Sequence, residues 1–234
     1  MLGEEARRMN MRKIIGLIIL GLSFISFSAF AEECTEVFNA NGQITKRTCA
    51  NDITTYSYST KNGETSVTMT KYAKTPKGKQ GITLDYLKTT YNADESVKET
   101  ESRSYDNAGT RVGGIITQYQ NGLVVSLKNE TYQGSKNLLG YSQTSYAYDE
   151  QGRVLSENTV TKEKDSSGNM VQTASNERTY EYNESGSYQV YENGEFVGRY
   201  NKSGTLIESK KIYTVEEASA LSKQTGNKVR LRYK

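Results

Sequence analysis

The feature that most constrains this chain is a short pattern that recurs along it: an aromatic residue, then Asp or Asn, two variable positions, then Gly. It occurs as Phe38-Asn39-Ala40-Asn41-Gly42, Tyr105-Asp106-Asn107-Ala108-Gly109, Tyr148-Asp149-Glu150-Gln151-Gly152, Tyr182-Asn183-Glu184-Ser185-Gly186 and Tyr200-Asn201-Lys202-Ser203-Gly204. Each copy carries the chemistry of a hairpin turn. The Asp or Asn side chain caps the reversal, and glycine takes a positive φ at no steric cost. The aromatic closes the incoming strand. An aliphatic residue soon after the glycine opens the outgoing one, as in Gln43-Ile44, Arg111-Val112, Arg153-Val154-Leu155 and Thr205-Leu206-Ile207.

Shorter Asn-Gly reversals fall at Asn62-Gly63, Asn121-Gly122 and Asn193-Gly194, each flanked by strand-forming residues. Lys164-Asp165-Ser166-Ser167-Gly168 reads as a copy without its aromatic, and Tyr91-Asn92-Ala93-Asp94-Glu95 as one without its glycine. The spacing predicts about 14 strands. The expected fold is all-β: an array of antiparallel β-hairpins forming an elongated twisted sheet.

Composition sharpens this expectation. Hydrophobic residues make up 35% of the chain and the mean hydropathy is -0.72, so any core is thin or spread along a sheet. Tyrosine dominates the aromatics, with 18 against 5 Phe and no Trp. That suits half-exposed strand faces, where the ring packs and the hydroxyl stays wet. Alternation puts Tyr56 with Tyr58, Tyr146 with Tyr148, and Tyr180 with Tyr182 on one side of their strands. These six tyrosines are the candidate binding face, because aromatic surfaces stack on sugar rings and anchor protein interfaces. The competing reading is that tyrosine only stiffens an underfilled sheet.

Both ends differ from the middle. Residues 1–31 combine Arg12 and Lys13, an apolar run from Ile14 to Phe27, and the small-residue site Ser28-Ala29-Phe30-Ala31, which together form a cleaved signal peptide. The apolar run is shorter than the roughly 20 residues of a spanning helix, so no membrane span is expected in the mature form. Met11 opens a more ordinary basic region than Met1, and Glu32 and Glu33 separate the cleavage site from Cys34, which argues against a lipid anchor. The expected location is the periplasm, the cell surface or the extracellular space. At the far end, Thr214-Val215-Glu216-Glu217 is a capping box opening a short helix to about Gln224 with Gly226 as its cap. Alternating Val229, Leu231 and Tyr233 suggest a closing strand. Domain organisation is therefore expected as a signal peptide over 1–31, a hairpin-repeat domain over 32–212 and a helix-strand cap over 213–234.

Several function classes lose their chemistry. Cys34 and Cys49 are the only cysteines, and in an exported chain an even pair this close is expected to form one disulfide. With no histidine, neither Ser-His-Asp nor Cys-His catalysis is available, no zinc site is expected, and no catalytic residue or cofactor is assigned. Gly113-Gly114 is followed by Ile115-Ile116 rather than by the Lys and Ser/Thr of a phosphate loop. Asp85, Glu99, Glu101, Asp149 and Glu181 are carboxylates that folding would have to pair for glycoside hydrolysis. Asp165-Ser166-Ser167-Gly168-Asn169 offers oxygen atoms but lacks the further acidic ligands of a calcium site. Removing residues 1–31 leaves a net charge of +1, too little to draw the protein to nucleic acid.

The aromatic-Asp/Asn-x-x-Gly-polar-aliphatic unit, best seen in Tyr148-Asp149-Glu150-Gln151-Gly152-Arg153-Val154-Leu155, resembles the YD repeat of the RHS family. Across residues 36–212 the resemblance implies a spiralling array of hairpins on an exported or surface protein. It does not imply encapsulation of a cargo, since the chain is much shorter than RHS shells and no toxin domain is evident. The functional expectation is a non-catalytic exported binding protein for a glycan or an envelope protein. The alternatives are a self-assembling structural protein of the envelope and a carboxylate-dependent glycan hydrolase.

Overall fold

The computed structural model describes residues 33–209. The expected signal peptide over 1–31 and the expected C-terminal helix and strand lie outside the described residues.

Among the described residues the fold is all-β, with fourteen strands: β1 Thr35–Phe38, β2 Ile44–Thr48, β3 Asp52–Lys61, β4 Glu64–Lys74, β5 Gln80–Tyr91, β6 Val97–Tyr105, β7 Arg111–Gln120, β8 Leu123–Gln133, β9 Asn137–Tyr148, β10 Val154–Lys164, β11 Met170–Tyr182, β12 Tyr188–Glu192, β13 Glu195–Tyr200 and β14 Leu206–Ser209. They hydrogen-bond in chain order as an open antiparallel sheet whose first and last strands are not neighbours. No helix among these residues is long and apolar enough to cross a membrane.

The turns form as their residues dictate. Asn39, Asp106, Asp149, Asp165, Asn183 and Asn201 each use the side-chain Oδ1 to accept the backbone N–H groups two and four residues on. The glycine three residues on donates its N–H to the backbone carbonyl of the same Asp or Asn at 2.9–3.0 Å, with φ between 73° and 84°. This is a type I turn followed by a glycine bulge. The ladder accordingly slips by a residue at Phe38, at Val154 and at Tyr200. Thr75-Pro76-Lys77-Gly78 builds the same turn with a hydroxyl as cap, Thr75 Oγ1 accepting the Lys79 N–H at 3.0 Å. At the three Asn-Gly reversals both residues have positive φ, the two-residue hairpin that matches strand twist.

Two compact units are distinguished. Among the described residues the first runs to Ile115 and includes Tyr132–Asn137; the second comprises Ile116–Thr131 and Leu138 to Ser209. In the first unit the disulfide between Cys34 and Cys49 clamps β1 to β2, next to the Thr35–Thr48 pair, with a Cα separation of 4.3 Å. Among the described residues Ile44, Cys49 and Ile53 are its buried large apolar residues, and Val190 is that of the second unit. So thin a core follows from a sheet whose strands read polar on most positions; cross-strand pairs and turn caps replace the interior of a layered domain.

Candidate functional site

The second unit places the tyrosines. Tyr146 lies opposite Glu157, Glu157 opposite Arg178, and Arg178 opposite Glu192. Because strand side chains alternate and directly opposed residues share a face, Tyr146, Tyr148, Tyr180 and Tyr182 project from one face of this unit. Tyr56 and Tyr58 belong to the first unit, where they face Met69 and Val67 across β4.

Three rings form a row across β11, β12 and β13. Tyr182 pairs with Tyr188, and Tyr188 with Tyr200. The Tyr182 and Tyr188 centroids are 5.3 Å apart and tilted by 41°; those of Tyr188 and Tyr200 are 5.3 Å apart and nearly parallel at 13°. Tyr180 adds a contact to Tyr188 at 6.1 Å. Such pairs contribute about 0.5–1.5 kcal/mol each beyond area burial. The row continues into the turn between β9 and β10, where the Arg153 guanidinium sits 4.3 Å from the Tyr182 centroid. Arg153 is held there by Asp149, whose Oδ2 accepts its Nε–H at 2.6 Å.

Tyr188, Tyr200 and Arg153 were not among the candidate residues read from the sequence. A signal existed: Tyr182 and Tyr188 flank one turn symmetrically, so a hairpin closed there must bring them together. Tyr200 already stood in the repeat as its aromatic.

Three of the six candidate hydroxyls are engaged. Tyr148 donates to the Val124 carbonyl at 2.6 Å, Tyr180 to Glu157 Oε1 at 2.7 Å, and Tyr58 to the Ile44 carbonyl at 3.0 Å. Burial, together with the Glu157 carboxylate that accepts its proton, pushes Tyr180 up to about 12, so at neutral pH it acts as a hydrogen-bond donor. Burial raises Tyr56, Tyr58, Tyr146, Tyr148 and Tyr182 in the same direction.

This geometry shapes what the face can recognise. Tyr188 has a ring on either side, and its near-parallel stack on Tyr200 leaves less ring face free for a ligand to stack on. The row shares its face with Glu157, Arg178 and Glu192. Arg178 and Glu192 form an ion pair across β11 and β12.

The carboxylates considered for hydrolysis have other partners. Asp149 caps its turn and holds Arg153; burial opposes ionisation, but the Arg153 N–H groups and charge outweigh it and keep the carboxyl below its ordinary range. Glu101 accepts from Arg103 Nε at 2.7 Å in the first unit, and Glu181 accepts from the Tyr191 hydroxyl at 3.0 Å in the second. Asp85 Oδ1 accepts the N–H of Tyr86 at 2.7 Å. Glu99 lines a shallow depression of about 480 Å³ in the first unit, beside Lys88, Lys98 and Glu64. In the loop considered for calcium, Asp165 Oδ1 caps the turn.

A scan against protein-family models finds no match for this chain, and a search of curated proteins finds none either.

Proposed function

We propose that this chain is a non-catalytic, exported binding protein of the bacterial envelope, periplasmic or on the cell surface, and that the tyrosine face of its second unit is the contact surface. The observation that carries this reading is the continuous row of Arg153, Tyr182, Tyr188 and Tyr200 on one face. Tyrosine and arginine are the residues most enriched where protein interfaces concentrate their binding energy. A row with less ring face free favours a protein ligand over a sugar that stacks flat. Export rests on the signal peptide read from residues 1–31, and the disulfide is in keeping with an oxidising compartment. The likeness to YD repeats supports a surface or periplasmic role by analogy of repeat type.

A second reading, self-assembly through a sheet edge, is favoured by the exposure of β1. All four of its residues are exposed, with Val37 and Phe38 more than half so. Among the described residues β1 pairs with β2 alone, and an edge of this kind invites pairing with another chain.

The experiment is co-sedimentation of the oxidised protein with bacterial envelope fragments, before and after protease treatment of the fragments. The expected result is binding that is lost after protease and weakened at least tenfold by Tyr182→Ser together with Tyr188→Ser in a variant that retains its β-sheet circular dichroism. Tyr182→Phe with Tyr188→Phe keeps the stack and is the folded control. Undiminished binding by the folded serine variant would remove the tyrosine face from the proposal, and concentration-dependent oligomers in light scattering would favour the edge reading.

A further inference from the structure

The opposite face of the second unit carries a different surface. Ser145 pairs with Asn158 and Gln143 with Val160, one residue out of step with the Tyr146–Glu157 pair. These side chains therefore project away from the tyrosine row. With Tyr141, Lys162 and Gln172 they line a shallow depression of about 320 Å³, at the lower end of the roughly 300–1,000 Å³ that small-molecule sites span. A register slip at Thr161 and Lys162 on β10 turns Lys162 opposite Gln172, which brings the third strand of the depression into line.

Its chemistry is specific. Its apolar members are Val160 and Tyr141, diagonal neighbours across β9 and β10. Tyr141 is positioned from one side by the Lys128 ammonium, 4.3 Å from its centroid, which Glu130 neutralises at 2.8 Å. Gln143 is fixed by its own bond, Nε2–H to Ser126 Oγ at 3.1 Å, which leaves its carbonyl oxygen as the acceptor still to be used. Around it stand Ser145, Asn158 and Gln172, all exposed, whose side chains make no hydrogen bond among the described residues. Each amide offers paired donors and an acceptor a few ångströms apart. That pairing matches adjacent hydroxyl groups on a sugar ring, which donate and accept alternately. A peptide would instead need side-chain pockets or an unpaired strand edge, and β9, β10 and β11 are paired on both sides.

We propose that this depression binds a neutral oligosaccharide through its amides, with Lys162 as its one charged lining residue. Asn158 and Gln172 hydrogen-bond its hydroxyls, and Tyr141 with Val160 packs against its apolar edge. The site is independent of the tyrosine face, so the protein holds a glycan on one side of the second unit while the other side meets its protein ligand.

The test is titration calorimetry of the whole oxidised chain with chitotetraose, cellotetraose and maltotetraose as neutral probes and tetragalacturonate as the charged one. At least one neutral probe is expected to bind, with affinity changing less than twofold between low and moderate salt. Asn158→Ala with Gln172→Ala is expected to lower that affinity at least tenfold. Both residues are exposed, so the variant keeps its fold, which circular dichroism verifies. Tyr182→Ser with Tyr188→Ser is expected to leave glycan binding unchanged, which separates this site from the tyrosine face. Binding of tetragalacturonate alone, binding of none of the four, or neutral-probe affinity untouched by the double alanine variant would each overturn the proposal.

Discussion

One residue breaks the rule that every other bulged turn obeys. Glu95 occupies the glycine position of the turn after Tyr91 and adopts φ 69°, a left-handed conformation that costs an L-residue about 1–2 kcal/mol. The turn closes regardless: Glu95 N–H reaches the Asn92 carbonyl at 3.0 Å, Asn92 N–H reaches the Ser96 carbonyl at 2.9 Å, and Asp94 takes over capping by accepting from both the N–H and the hydroxyl of Ser96. Glu95→Gly therefore relieves the strain and is expected to stabilise the first unit by about 1 kcal/mol, after the greater unfolded-state freedom of glycine is subtracted. Urea unfolding followed by circular dichroism reads the difference; an unchanged midpoint would mean that Glu95 has a compensating contact. Glycines at the same turn position are not equivalent. An added Cβ at Gly168 meets nothing within 4 Å, whereas at Gly109 it would stand 2.8 Å from Ile82 Cβ. Gly168→Ala is expected to cost the conformational strain alone, about 1–2 kcal/mol. Gly109→Ala adds an overpacking cost of about 1–3 kcal/mol, so the two variants unfold at distinguishably different urea concentrations.

At the scale of elements, β1 is the strand with least to hold it. It has four residues, all exposed, one neighbour among the described residues, and the Cys34–Cys49 bridge at its start. Closing a loop of 15 residues stabilises by about 3 kcal/mol. Cys34→Ser with Cys49→Ser is expected to shift the unfolding midpoint of the first unit downward by a corresponding amount and to expose the β1 and β2 amides to rapid hydrogen exchange. Protection of those amides in the variant would show that the ladder alone suffices. The turns and strands were legible in the sequence because their causes are local: an Asp or Asn side chain reaching its own backbone, and a glycine where φ must be positive. The Thr75 turn was not read, because it lacks the aromatic and uses a hydroxyl as its cap. Facing across strands was less legible still. Each bulged turn inserts one residue into the ladder, and one residue exchanges inside for outside. Period-two reading pairs Tyr180 with Tyr182, but it cannot say which side of the next strand joins them. The row through Tyr188 and Tyr200, and the amide-lined depression behind it, emerge only once register is known.

For the whole molecule, a sheet with so few buried apolar residues draws its stability from many half-buried side chains, and tyrosine is foremost among them. The described tyrosines with resolved shifts are all displaced in one direction. Tyr56, Tyr58, Tyr86, Tyr91, Tyr146, Tyr148 and Tyr182 are raised, chiefly by burial, and so is Tyr191, chiefly by donating to Glu181; Tyr180 reaches about 12 through burial and Glu157. A phenol whose folded pKa exceeds the unfolded value of about 10 keeps its proton longer in the folded state. Its stabilising contribution is complete below pH 10 and is lost as pH rises through the folded value, here up to about 12 for Tyr180. These shifts add in sign across both units, so the protein is expected to lose stability steeply between pH 10 and 12. Tyrosinate absorbance should rise late and cooperatively, together with loss of β-sheet circular dichroism. Glu157→Gln keeps a hydrogen-bond acceptor for Tyr180 but removes the negative charge that holds its proton. In that variant Tyr180 is expected to ionise closer to its ordinary value, with a shallower decline of stability across the same window. The part due to burial remains. If the wild-type tyrosines instead ionise near pH 10 while the sheet signal is intact, the rings are wetter than this face implies, and the sheet owes its stability to its turns and ladders.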